Sequence, residues 1–251
     1  MTALARTTRH ALAALPPAPS PRFDPSTIDQ LPPPARRLLA AAIPAGAPLS
    51  QRVELEMTGR IKLGVWLPFT ARQLLVAGRG LVWEPVVGGR IVRFVGADSL
   101  GPDGARMQFR LHDRIKVVDA SGPDVDRSAA GRLAAETVAW LPQALTPQAG
   151  AEWRPIDDRR AVVILGGPYG PIEVDVTVDD DGALTELRLQ RWNSSAKPPG
   201  PEPFGGEVMS TFETGGVRIA GTGTVGWKFG TPDQDDGIFF HYTITGARFG
   251  A

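Results

Sequence analysis

Residues Asp126–Leu145 read DRSAAGRLAAETVAWLPQAL, and their spacing decides the fold. Ala129, Leu133 and Trp140 recur at helical intervals, and Ala130, Thr137 and Leu141 widen the stripe, so the segment predicts an amphipathic helix. Asp124 or Asp126 suits its N-cap, and Pro142 ends it or kinks it into one more turn. Glu136 falls on the apolar stripe, with Arg132 four residues before it. A carboxylate placed there needs a partner, since burying it alone costs several kcal/mol.

On either side of this helix the period is two. Val53, Leu55 and Met57 alternate with polar neighbours, predicting a half-buried strand over Gln51–Thr58. Further strands are predicted over Arg60–Trp66, Arg72–Ala77, Leu81–Val87, Ile91–Val95, Ala105–Leu111 and Ile115–Asp119. A second series covers Ala161–Leu165, Ile172–Val178, Ala183–Trp192, Glu207–Glu213, Val217–Ala220, Thr224–Phe229 and Ile238–Thr245. Asp181-Gly182 between two of these marks a hairpin. Strands joined by short turns pair antiparallel, because parallel neighbours need long crossovers. The fold expected is therefore α+β: a large curved antiparallel sheet, like a half-barrel, wrapped around one central helix. Short helices are predicted over Thr2–Leu15 and Pro34–Ile43. Residues 1–30 read as a leader, partly disordered or running over the surface, ahead of a single domain over 31–251. Lys197–Pro203 (KPPGPEP) reads as a loop and a flap over an opening.

Several spaced features resemble a bacterial family known only as a domain of unknown function. They are LPPPARRLL (Leu31–Leu39), GRIKLGVWLPFTA (Gly59–Ala71), Leu81-Val82-Trp83 and, most specifically, GRLAAETVAWLPQAL (Gly131–Leu145). Trp153, Asp157, Ala161, DDDG (Asp179–Gly182), Arg191, Gly215-Gly216 and Trp227 continue the likeness, which runs from about Leu31 to the C-terminus. Ala220 departs from it, where the family carries a proline. The resemblance implies no activity, cofactor or catalytic residue. It implies a shape similar to the half-barrel of bacterial lipoprotein carriers, in which a curved sheet and capping helices hold an apolar groove, and shape alone does not establish function.

Composition narrows the function classes. Lys plus Arg and Asp plus Glu both number 27, so no global field draws the chain toward nucleic acid or an anionic membrane. The absence of cysteine removes disulfides, thiolate catalysis and Cys-ligated zinc. The N-terminal apolar run Ala11–Leu15 is short for a secretory signal, and no stretch approaches a membrane span, so a cytoplasmic protein is expected. No cofactor or metal is expected. GTGTVG (Gly221–Gly226) matches a dinucleotide fingerprint in letters, but strand and turn follow it instead of the required helix. Asp179–Gly182 and Asp233–Gly237 lack the closing glutamate of a calcium loop. His112 and His241 sit in strand-like segments, outside any metal-binding spacing.

The six tryptophans fill the core, or some of them line an apolar cavity with their indole N–H groups turned to a ligand. Arg132 and Glu136 form an intrahelical pair at the core edge, or a polar anchor at the cavity mouth. The leading reading is a non-catalytic binding protein for a hydrophobic or amphiphilic small molecule, a lipid included, held between sheet and helix. Its candidate contact residues are Trp66, Trp83, Arg132, Glu136 and Trp140. Two alternatives remain: a metal-independent enzyme with Glu136 as acid or base and Asp157, Asp158 or Arg191 converging on it, or an interaction protein using a sheet edge or the leader.

Overall fold

A computed structural model describes residues 3–14, 21–167 and 169–250. The strands are β1 (Arg52–Leu63), β2 (Val65–Val76), β3 (Gly80–Gly88), β4 (Arg93–Gly101), β5 (Gly104–Leu111) and β6 (Ile115–Ser121), followed by helix α3 (Pro123–Trp140). After it come β7 (Glu152–Pro155), β8 (Arg160–Leu165), β9 (Ile172–Val178), β10 (Leu184–Asn193), β11 (Gly200–Thr214), β12 (Val217–Trp227) and β13 (Ile238–Gly250). Helices α1 (Ala3–Ala13) and α2 (Pro33–Ala42) precede β1.

All these strands form one 13-stranded sheet in the order β6-β5-β4-β3-β2-β1-β13-β12-β11-β10-β9-β8-β7. Every pairing is antiparallel, and the last strand returns to lie beside the first. The chain thus makes two meanders, one running out to the β6 edge and one running back from the β7 edge. Helix α3 is the link between those edges. With 18 residues it is about 27 Å long, enough to cross the curved face. It touches β2 to β6 on one side and β9, β10 and β12 on the other. The sheet is open, and it bears out the curved sheet expected around one central helix.

The inward face follows from the period of two. On β2, Phe69, Ala71 and Leu75 belong to the main core, while Leu74 and Val76 join a separate cluster. That second cluster, with Val82 and Ala97, receives Ala5 and Leu12 of α1 on the outer face. Arg9 of α1 pairs there with Glu84 at 3.2 Å. The segment expected as a surface leader therefore includes a docked helix; residues 15–20 of it lie outside the described residues. Helix α2 packs on β8, β9 and β12, and its Leu38 and Leu39 enter the main core.

Several boundaries differ from the expected ones for local reasons. Strand β1 runs through Gly59 to Leu63 instead of stopping at Thr58. A Cβ at Gly59 would lie 1.9 Å from the His241 carbonyl oxygen, so the glycine permits close strand approach and is no turn signal. Strand β4 likewise continues past Val95 to Gly101. Lys197–Pro203 is not a flap along its whole length: Gly200–Pro203 pair with Gln190–Asn193. The β12 ladder begins only at Phe204, so the N–H groups missing from Pro201 and Pro203 fall where β11 is paired on one side. Val217–Ala220 and Thr224–Trp227 are one strand, which stops before the predicted end at Phe229, and Ala220 sits paired within it. His112 and Asp113, both at positive φ, form the β5–β6 turn and not strand positions.

Replacing Leu12, which is fully buried under α1, by alanine is expected to lower unfolding stability by about 2–5 kcal/mol in urea titration. An unchanged midpoint would mean that α1 is not docked.

Candidate functional site

Helix α3 starts at Gly122, its N-cap, with Pro123 at the first helical position and Asp124 and Asp126 in the first turn. The cap thus falls two residues before Asp124 and four before Asp126, the two positions expected. Asp126 instead accepts the Ala105 N–H at 2.6 Å and so fixes the helix start to β5. The helix ends at Trp140, and Pro142–Leu145 form a separate 3-10 turn. It is not amphipathic as expected: from Ser128 to Trp140 every residue is buried except Arg132 and Glu136, which are half-buried. Strands surround it on two sides, so small residues such as Ala134, Ala135 and Ala139 are buried on the face expected to be polar.

Arg132 and Glu136 are not an exposed pair. Their side chains are only 15% and 13% accessible, and Arg132 Nε donates to Glu136 at 2.6 Å. Its Nη1 reaches Asp98 of β4 at 2.5 Å. The second oxygen of Glu136 accepts from Gln73 Nε2 of β2 at 2.5 Å. Arg132 therefore ties the helix to β4, and Glu136 ties it to β2. Burial acts to lower the Arg132 pKa, but the adjacent Glu136 and Asp98 outweigh it and raise it above the usual guanidinium value. Arg132 also lies over the Trp83 ring, 5.2 Å from its centroid.

Beside this network the concave face and α3 leave a cavity of about 780 Å³. Trp83, Phe109, Trp140, Phe204, Trp227, Phe239, Phe240 and Tyr242 build its aromatic wall, and Ala135 and Ala139 supply the helix side. The rings interlock: Phe69 stacks on Phe240 at 4.9 Å, and Trp140 meets Tyr242 edge-on at 5.4 Å. Lys62, Leu63, Val117 and Ser195 line it too and are exposed, which places an opening among the tips of β1, β6 and β10.

Of the residues expected from sequence, Trp83, Arg132, Glu136 and Trp140 come together on this cavity. Trp66 does not. It lies on the outer face, edge-on to His241 at 4.6 Å and beside Arg60. The one-residue offset from Leu67 and Phe69 turns it away from the interior. The indole nitrogens of Trp83 and Trp140 are buried without an acceptor, so they are not presented to the cavity as expected. Asp157 and Asp158 do not converge on Glu136 either. They sit in the turn between β7 and β8, where Asp157 binds Arg160 at 2.7 Å and the Asp158 carbonyl accepts from Arg37. Both Glu136 oxygens are already engaged.

Sequence reading missed Asp98 because the predicted strand stopped at Val95, and Gln73 because a lone glutamine carries no signal. It gave Arg191 a role only within the enzymatic alternative, and otherwise named it as part of the family likeness. One clue to Arg191 was present: Gly131, a glycine inside a helix, which is unfavourable by about 1 kcal/mol relative to alanine. A Cβ there would lie 2.9 Å from Arg191 Cγ, so the glycine makes room for that side chain.

A model of a family of unknown function, DUF6544, matches residues 21–239. The chain belongs to this family. No curated protein matches it. Among solved structures, this DUF6544 member is similar to a LolA-superfamily protein from Nitrosomonas europaea at 7% identity, covering 87% of this chain and 92% of that one with a TM-score of 0.44. A DUF1329 family protein from Desulfovibrio piger is similar at 12% identity, covering 91% and 95%, with a TM-score of 0.42. A domain described as an outer membrane lipoprotein-sorting protein, from Vibrio parahaemolyticus, is similar at 8% identity, covering 80% and 86%, with a TM-score of 0.40.

Replacing Arg132 with methionine in this DUF6544 chain strands two buried carboxylates, and a loss of about 3–5 kcal/mol is expected. The deficit should shrink on acidification: an orphaned carboxylate has a raised folded-state pKa, so its penalty is absent below the unfolded pKa and grows as pH rises. Adding Asp98→Asn and Glu136→Gln should restore most of the loss. Denaturant titrations of the single and triple variants at pH 7 and pH 4.5 check both points.

Proposed function

We propose that this protein is a non-catalytic binding protein that holds a hydrophobic or amphiphilic small molecule between its sheet and α3. The observation that carries the reading is the cavity of about 780 Å³ in the place where a packed core would otherwise lie. Its volume falls within the range of about 300–1,000 Å³ that small-molecule sites occupy. Interiors pack densely because a void forfeits dispersion contacts along its whole lining. A cavity of this size walled by aromatic rings is therefore stabilised by an apolar occupant, and each buried methylene of that occupant contributes about 0.8 kcal/mol.

Trp83 and Trp140 are proposed as ring contacts for the apolar part, and the Arg132–Glu136 pair as the fixed polar border. Because Arg132 satisfies Asp98 and Glu136 together, that border can lie beside apolar ligand atoms without an unpaired carboxylate.

Protein purified without detergent is expected to show, in native mass spectra, adducts that organic extraction removes. A neutral apolar fluorophore should bind the extracted protein and quench its tryptophan emission. Ala139→Phe, which places a ring inside the cavity, should weaken that binding at least about tenfold, or about 1.4 kcal/mol. Absence of binding by the wild type, or equal binding by a folded variant, would contradict the proposal.

A further inference from the structure

Two guanidinium groups line the cavity, and they are treated differently. Arg132 contacts two carboxylates. Among the described residues no carboxylate lies within ion-pair distance of Arg191, which projects from β10. Its Nε donates to the Ser128 carbonyl at 3.0 Å and its Nη2 to the Ser128 hydroxyl at 3.3 Å. The guanidinium lies 4.4 Å from the Phe204 ring centroid and 5.1 Å from that of Trp227. Ser128 thus occupies one edge of the fork, two aromatic rings flank it, and among the described residues Nη1 makes no hydrogen bond. The stem is seated over Gly131, the helix position where a Cβ would crowd it.

Such a group is costly as it stands, because a half-buried cation without a contacting anion loses hydration that Ser128 and the two rings replace only in part. The cluster of Asp98, Arg132 and Glu136 carries one net negative charge. Those carboxylates offset Arg191 through space, yet none supplies an acceptor to Nη1. Burial, and then the charge of Arg132, bring the Arg191 pKa down to about 10 against the opposing pull of Asp98 and Glu136. The guanidinium is thus desolvated and has no contacting carboxylate among the described residues. Tyr242, a buried side chain on the same cavity wall, makes no side-chain hydrogen bond among the described residues.

We infer that Arg191 is the head-group site of the cavity: the ligand is a single-chain amphiphile whose oxyanion docks on the open edge of the Arg191 fork while its tail runs along the aromatic wall. A planar fork with a free edge suits a carboxylate or a phosphate oxygen pair, and hydrogen bonds from a charged donor are stronger than neutral ones. This inference rests on the binding reading proposed above.

The test compares dodecanoate, dodecyl phosphate, methyl dodecanoate and dodecanol by tryptophan quenching, using wild-type protein and Arg191→Met. The variant keeps the aliphatic stem, and thermal melting verifies that it folds. Expected is binding of at least one anion at least about tenfold tighter than the ester and the alcohol. The preference should vanish in Arg191→Met while alcohol affinity stays unchanged. The tighter of the two anions identifies the head group. Gly131→Ala, which pushes the Arg191 stem aside, should also reduce the preference, and it serves in place of Arg191→Met if that variant does not fold. Equal binding of anions and neutral chains by the wild type, or a preference retained in a folded variant, would overturn the head-group site and leave the cavity reading intact. Failure of all four to bind the wild type would overturn the cavity reading itself.

Discussion

Arg132 reaches Asp98 on β4 and Glu136 on its own helix at the same time, while Glu136 passes its other oxygen to Gln73 on β2. Everything else about the interior depends on that tie. A helix linking the two edges of an open sheet could slide or roll over an apolar surface, because hydrophobic contact has no direction. The charged hydrogen bonds do have direction, and leaving any member unpaired would be costly in so dry a setting. They hold α3 at one height and one rotation. The space beside it stays unfilled because the helix is pinned before its small side chains, Ala135 and Ala139, can close on the facing aromatic rings.

The same physics separates the two cavity-lining guanidinium groups. Arg132 gains more from its two carboxylates than burial takes away, so its pKa rises, whereas Arg191 is held by a serine and two rings and its pKa falls. Structural and ligand-directed roles are thus told apart by partner chemistry. A satisfied ion pair stiffens the frame, and a charge without a contacting counter-ion on a cavity wall favours an anionic ligand.

The architecture was largely legible in the sequence because it rests on periodicity. The alternation of Ile172, Val174, Val176 and Val178 and the Asp181-Gly182 turn specify their hairpin locally. One helix among many short-turn strands then leaves few topologies other than a meander around it. Strand ends were less legible, since Gly59 and Gly96 resemble breaks and are instead places where neighbouring backbone comes close. The site was legible in part. Charge on an apolar stripe pointed to Arg132 and Glu136, and large rings pointed to Trp83 and Trp140. Trp66 failed because a face assignment depends on register, and a shift of one residue reverses it. Asp98 and Gln73 were invisible because they matter only through a contact made across the sheet. Arg191 was marked indirectly, by a glycine in the middle of α3.

Between the concave face and α3 lies an apolar, aromatic-walled cavity where a closed core would otherwise pack. The most direct measurement is a crystal structure of protein isolated from cells without detergent. Elongated electron density is expected between Trp83, Trp140 and Trp227, continuous with the exposed rim at Leu63 and Val117. Side chains of α3 found in van der Waals contact with the facing rings, with no space for a guest, would contradict it.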